Sequence, residues 1–209
     1  MTEYLQPFGF GEAEFTEKRS RFIGRIWPVE SESEATAHIE AMRRQHYDAT
    51  HNVYAYIVRE NGVMRYSDDG EPQGTSGQPT LNVFRQENIV NVCCVVTRYF
   101  GGTLLGAGGL VRAYSAAAKA ALDAAGVCRM AEWLSLSVPC SYSLYERVRR
   151  LAERHGAVIE DTSFAADVVL ELMVRADCAE AFARDLTELT SGAVTPAARS
   201  TAFRGVRIR

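Results

Sequence analysis

The chain has 209 residues, 47% hydrophobic and 23% charged, with a net charge of −3 and a pI of about 5.9. That is an ordinary globular composition, long enough for one large domain or two small ones. The slightly acidic balance excludes a protein that coats nucleic acid by bulk charge. No apolar stretch approaches the ~20 residues of a membrane span. The N-terminus, MTEYLQPFGFGEAEF, has neither a basic n-region nor an apolar h-region, so a cytoplasmic location without membrane contact is expected. The five cysteines are odd in number, and Cys93 and Cys94 are adjacent in an apolar run. They read as buried thiols rather than zinc ligands or disulfides.

In chain order, Phe15–Val29 reads as a single long extended piece. Ser31 with Glu34 makes a capping-box pattern that opens a helix over 32–46, with Ile39, Met42 and His46 on one face. HNVYAYIVRE then alternates and ends at Asn61-Gly62, a hairpin signal, before VMRYS. TLNVFRQEN reads as a short helix. IVNVCCVV (89–96) is continuous and β-rich, the pattern of a strand buried on both faces. A helix follows over 110–125.

A domain boundary falls near Gly126–Ala131, with a new strand from Glu132. Residues 1–131 form the first domain and 132–209 the second. They carry 13 basic against 15 acidic residues and 10 against 11, so neither is a basic module. In the second domain, capping patterns at Ser143 with Glu146 and Asp177 with Glu180 open helices over 143–155 and 178–190. A hairpin lies around Thr162–Ala166, and an extended piece covers Ala193–Arg204. The first domain reads β-α-β-β-α-β-α, an α+β sheet with helices on one side. The second reads β-α-β-β-α-β, the split βαβ or ferredoxin-like order.

Two segments can carry chemistry. TRYFGGTLLGAGGLVRAYS (97–115) leads from a strand through Gly101, Gly102, Gly106, Gly108 and Gly109 into a helix. Helix N-termini expose unpaired N–H groups and a positive dipole end, and glycine lets a ligand approach them. No Lys-Ser/Thr follows, so this is not a Walker loop. The helix behind it is alanine-rich, so the glycines equally serve a turn that lets the helix pack closely on its sheet. Both readings stand. Arg98, Tyr99, Arg112 and Lys119 cluster in sequence around the loop. The second segment is SDDGEPQGTSGQPT (67–80). Asp68, Asp69 and Glu71, with Thr75 beyond them, suit either a hard cation such as Mg²⁺ or turn and cap acceptors. No Ser-His-Asp or Cys-His arrangement emerges, and His38, His46 and His51 read as satisfied, non-catalytic groups.

EKRSRFIG (17–24), ATHNVYAY (49–56), RYSDDGEPQGTSGQPTLNVF (65–84) and NVCCVVTRYFGGTLLGAGGLVRAYSAA (91–117) together resemble the Impact family, in its bacterial YigZ-like branch. The chain departs mildly from the family pattern at Ser76, within GTSG where GTAG is usual, and at Phe84, where Leu is usual. The resemblance implies an N-terminal domain like the second domain of ribosomal protein S five, shared with elongation factor G domain IV and with the galactose, homoserine and mevalonate kinases. It implies a ferredoxin-like C-terminal domain similar to elongation factor G domains III and V. Eukaryotic Impact proteins regulate translation initiation by competing for an activator of a stress kinase, largely through a different N-terminal domain not carried in this sequence.

The expectation drawn from residues and resemblance together is a non-enzymatic, translation-linked factor. It would contact RNA or the ribosome, or a translation-factor partner, without DNA specificity. The contact would use Arg98, Tyr99, the loop glycines, Arg112 and Lys119, and no cofactor is firmly implied. The alternative is a Mg²⁺-dependent enzyme or binding protein for a phosphorylated or nucleotide ligand. There Asp68, Asp69 and Glu71 would hold the metal and the glycine loop the phosphate. A third reading is a protein-interaction module whose loops only shape a surface.

Overall fold

The computed structural model describes residues 3–209 and has a mixed α+β architecture that divides into two units. The first unit holds Tyr4–Arg129 and the terminal Gly205–Arg209; the second holds Met130–Arg204 together with Glu3. Among the described residues, no helix is long and apolar enough to cross a membrane.

The first unit runs β1 (Tyr4–Pro7), β2 (Gly11–Glu17), β3 (Ser20–Pro28), α1 (Glu32–Gln45), β4 (His51–Val58), β5 (Val63–Ser67), α2 (Gly77–Gln86), β6 (Val92–Tyr99) and α3 (Ala107–Ala125). Its sheet is ordered β2-β3-β6-β4-β5, antiparallel throughout. The single extended piece expected over Phe15–Val29 is corrected to a hairpin. The chain reverses at Lys18 and Arg19, both left-handed with φ of 46° and 67°. A turn of this hand matches strand twist, but it normally announces itself as Asn-Gly. Lys-Arg in its place hides it.

Side chains of β6 alternate between two buried faces, as its continuous apolar run requires. Cys94 and Val96 join Ala55 and Ile57 in the core under α2 and α3, whereas Cys93 and Val95 join Tyr56 and Val58 under Ala35 and Ile39 of α1. Helices therefore cover both faces, which corrects the one-sided arrangement expected from element order. Ser31 caps α1 as read, its Oγ accepting from Glu34 N–H at 3.2 Å.

The inward stripe of α3 is mostly alanine, and Ala113, Ala117, Ala118 and Ala121 are buried. Two strand glycines receive it. A Cβ on Gly11 would lie 2.3 Å from the Ala125 nitrogen, and one on Gly24 2.5 Å from the Ala117 carbonyl oxygen. Small residues on both partners thus bring helix backbone down onto sheet backbone. The close packing expected of α3 rests on these strand glycines more than on those of the preceding loop.

The second unit contains β7 (Val127–Cys140), which begins before the unit boundary, then α4 (Tyr142–Arg154), β8 (Val158–Phe164), β9 (Val168–Arg175), α5 (Ala179–Thr190) and β10 (Ala197–Arg207). Its strand order is β10-β7-β9-β8. Val138, Leu170 and Leu172 of the sheet pack with Val148 and Leu151 of α4 and Phe182 and Leu186 of α5. Both capping expectations here are corrected. The N-cap of α4 is Ser141, not Ser143, and that of α5 is Cys178. Asp177 instead pairs with Arg175 at 2.6 Å.

Candidate functional site

The segment between β5 and α2 is held by its own carboxylates. Asp68 Oδ1 accepts from Ser76 N–H (3.1 Å), Ser76 Oγ (2.7 Å) and Gly77 N–H (2.8 Å), and its Oδ2 accepts from Gly74 N–H at 2.8 Å. Asp68 is thus a remote cap for α2, whose own N-cap residue, Ser76, makes no side-chain cap bond. Burial pushes the Asp68 carboxyl up, but these donors outweigh it and hold the group below its ordinary value. Asp69 accepts from Asn52 N–H at 2.6 Å and from Arg43 at 3.0 Å. Thr75 Oγ1 donates to the Pro72 carbonyl at 2.6 Å. Among the described residues, no group of three or more His, Cys, Asp or Glu side chains converges as metal ligands do. The three carboxylates point at separate partners, because each organises a different part of the loop.

Glu71 leaves that loop and enters the interior. Its Oε1 accepts from Arg98 Nη1 at 2.5 Å and from the Tyr114 hydroxyl at 2.8 Å, and the Glu71 and Arg98 side chains are only 3% and 5% exposed. Burial, reinforced by the adjacent Glu71 carboxylate, pushes the Tyr114 phenol up, so it stays protonated and donates. Arg98 also donates to Ser20 Oγ at 3.2 Å, and its guanidinium lies 5.4 Å from the ring centroids of both Phe22 and Phe100. Its Nε is buried with no partner. His51 sits beside the pair. Its Nδ1 lies 2.8 Å from the Asp69 carbonyl, and a carbonyl only accepts, so Nδ1 carries the proton. Nε2 is left 3.7 Å from Glu71 Oε1.

These groups floor an open pocket of about 370 Å³, within the range of small-ligand sites. Pro72, Leu105 and Leu110 line its walls, with the half-exposed Phe100 and the exposed Leu104. Gly106 and Ala107, where α3 begins, line it as well. Gly106 is the N-cap with φ of 73° and no side-chain cap bond. The first intrahelical bond is Leu110 N–H to the Gly106 carbonyl at 2.9 Å, so the N–H groups of Ala107, Gly108 and Gly109 have no partner among the described residues.

The expected site residues separate accordingly. Gly106, Gly108 and Gly109 form the open helix end. Gly101 is a packing residue, since a Cβ there would lie 1.9 Å from the Arg19 carbonyl oxygen. Gly102 turns the loop with φ of 82°. Arg112 is exposed on the first turns of α3 and lines a depression of about 210 Å³ with Lys18, Leu105 and Gly109. Arg98 does not face solvent beside Arg112, because Glu71 holds it inside. Tyr99 is engaged with the end of α1, hydrogen-bonding His46 Nδ1 at 2.9 Å and Asp48 at 3.1 Å. Lys119 lies farther along α3 and is paired with Glu87 at 3.1 Å and Asp123 at 2.5 Å. Its place in the loop cluster is corrected.

Sequence reading missed Lys18 and Arg19. They sit exposed in the β2–β3 turn against Gly101 and carry no ion pair among the described residues. It also missed Phe100, Tyr114 and the pocket-facing Nε2 of His51. A signal for His51 was present, since it opens β4, whose hairpin partner β5 ends at the acidic loop. Tyr114 falls on the apolar stripe of the helix that follows the glycines, where its hydroxyl gives no signal, and Phe100 carries no pattern of its own.

The fold and pocket define a two-unit α+β protein with an open cavity at a glycine-rich strand-to-helix junction. The profile of the Impact N-terminal domain matches residues 18–122, and that of a domain of unknown function, DUF1949, matches 138–193. The chain is similar to IMPACT family member YvyE of Bacillus subtilis, with 36% identity over 87% of this chain and 84% of that protein. It is also similar to IMPACT family member YigZ of Escherichia coli, with 30% identity over 85% of this chain and 88% of that protein. A solved structure titled "Crystal structure of an hypothetical protein" aligns with a TM-score of 0.59 and 29% identity, over 96% of this chain and 98% of that one. The chain belongs to the Impact family.

Proposed function

We propose that this protein is a non-enzymatic, translation-linked cytoplasmic factor that contacts RNA at the N-terminal end of α3. The observation carrying this is the conjunction there of three backbone amides, on Ala107, Gly108 and Gly109, with the exposed cations Lys18, Arg19 and Arg112, none of them partnered among the described residues. Amides at a helix N-terminus and flanking arginines suit phosphate oxygens. The β10-β7-β9-β8 order of the second unit suits a ferredoxin-like domain. The first unit is read as a relative of the second domain of ribosomal protein S five. Both expectations align the protein with elongation-factor modules, with the ribosome or a translation factor as the wider partner.

The test is binding of a labelled single-stranded RNA across a salt series. Lys18→Ala with Arg112→Ala should weaken binding severalfold. It should also flatten the log–log salt slope by about 1.4, at ~0.7 per lost phosphate contact. An unchanged slope sinks the assignment. The open pocket, walled by Phe100, Leu104 and Leu110, favours a second reading, a binding protein for a small phosphorylated or nucleotide ligand. Saturable thermal stabilisation by such a ligand, with no response to RNA, would select it.

A further inference from the structure

Phe100 is a large aromatic side chain left at the surface and yet held in place. It is 43% exposed, at the mouth of the pocket between β6 and α3. Its own N–H donates to Thr50 Oγ1 at 3.0 Å, and the next N–H, of Gly101, donates to Ser20 Oγ at 3.2 Å. The Arg98 guanidinium lies over the ring, 5.4 Å from its centroid, and is itself fixed by Glu71 and Ser20. A cation against one face leaves the opposite face for a further flat group. Leu104, 82% exposed, stands at the same mouth, and Pro72, Leu105 and Leu110 carry the apolar lining inward. Apolar side chains exposed together beside a hollow mark a binding surface, and a ring already fixed loses little freedom when something binds it.

The charge beside the hollow chooses among occupants. The exposed Arg19 sits in the turn packed on Gly101, the residue after Phe100. Leu105 lines both this hollow and the depression that holds Lys18 and Arg112 with Glu17, so the two share a wall. At these positions three exposed cations stand against one carboxylate. A neutral apolar peptide makes no use of them, whereas a nucleotide strand offers a flat base and an anionic backbone together.

We propose that an unpaired base of a single-stranded RNA stacks on the face of Phe100 opposite Arg98, with its backbone phosphates at Arg19, Lys18 and Arg112. This rests on the RNA reading above and deepens it. The protein takes single strands and refuses duplexes, whose bases are already stacked on one another. Stacking is indifferent to base identity, since every base has a π face. Phosphate contact alone favours the duplex, which carries the higher charge density; stacking on Phe100 reverses that order.

The experiment uses the full chain and labelled RNAs of equal strand length: a single strand of mixed sequence, its duplex with the complement, and a strand of abasic nucleotides. The single strand should bind about tenfold tighter than either of the others, the scale of one base–aromatic stack. Phe100→Ala should lose that advantage on the single strand and leave the abasic strand unchanged, and Phe100→Trp should restore it. A structural defect would instead weaken both strands alike. The salt slope should be the same in both variants, because neither removes a phosphate contact.

Duplex binding as tight as that of the single strand, or a Phe100→Ala effect equal on base-bearing and abasic strands, overturns the stacking site; with the Lys18 and Arg112 salt dependence intact it leaves the RNA reading standing. Absence of binding by all the RNAs overturns both. An acidic peptide with a central tryptophan, assayed in parallel, tests the competing occupant. Phe100-dependent binding of that peptide in place of the single strand makes the surface a protein-docking site and overturns the base reading.

Discussion

Replacing Arg98 by methionine would remove one half of a buried ion pair while keeping an unbranched apolar stem. The Glu71 carboxylate, 3% exposed, would be left with the Tyr114 hydroxyl as its only donor. Breaking a buried pair in this way costs about 3–5 kcal/mol, mostly because an uncompensated charge stays inside. Loss of the guanidinium from beside Phe22 and Phe100 adds on the order of 1 kcal/mol. Adding Glu71→Gln to Arg98→Met removes the stranded charge, and the neutral amide still accepts from Tyr114. The double variant should therefore be more stable than Arg98→Met alone by about 1–3 kcal/mol, a coupling typical of contacting residues. The assay is urea unfolding in a Trp133→Phe background, so that Trp27, in β3 next to β6, reports the first unit alone. A loss below about 1 kcal/mol in Arg98→Met, or a double variant no more stable than the single, refutes the claim that this pair holds the pocket floor.

Other consequences follow from the same geometry. Asp68 titrates below its ordinary value when folded, so its contribution is present above pH ~3.8 and is lost as pH falls through the folded value. Asp68→Asn should cost about 1–2 kcal/mol at pH 7, with the gap to wild type closing below pH ~3.8 in a urea series. Gly101→Ala places a Cβ 1.9 Å from the Arg19 carbonyl oxygen and should destabilise by about 2 kcal/mol or more. Gly108→Ala meets only the end of the Arg112 side chain, at 3.6 Å, and should raise the melting temperature while gaining up to ~1 kcal/mol. All five cysteines are free, and burial pushes the Cys93 thiol up to about 12 and Cys94 well above its ordinary value. A maleimide at pH 8 should therefore modify the less buried Cys178 first, as peptide mapping would show; early labelling at Cys93 contradicts the packing.

Local signals were readable where the physics is local. Ser31 and Glu34 lie three residues apart, and their cap bond needs nothing else to form. The continuous run at Val92–Val96 could only be a strand covered on both sides, although the covering helix α1 ends about fifty residues earlier in sequence, and element order alone put all the helices on one side. Signals failed where an unusual residue filled a standard role. Lys18 and Arg19 adopt a left-handed turn without glycine, so two strands read as one. Cys178 starts α5 while Asp177, the better cap by chemistry, is drawn to Arg175.

The candidate site was legible as two suspicious loops and illegible as one object. What joins them is strand register. His51 pairs with Arg98 across β4 and β6, so the residue after the acidic loop's strand partner and the residue before the glycine loop lie side by side. That pairing brings Glu71 onto Arg98 and turns two charges expected on a surface into one neutral, buried unit. It also reverses the roles read from sequence. Among the described residues the acidic side chains shape the loop and the pocket floor instead of converging as metal ligands, and the cations left to meet a ligand are Lys18 and Arg112, which line a separate depression beside the first turns of α3, and Arg19, in the turn against Gly101.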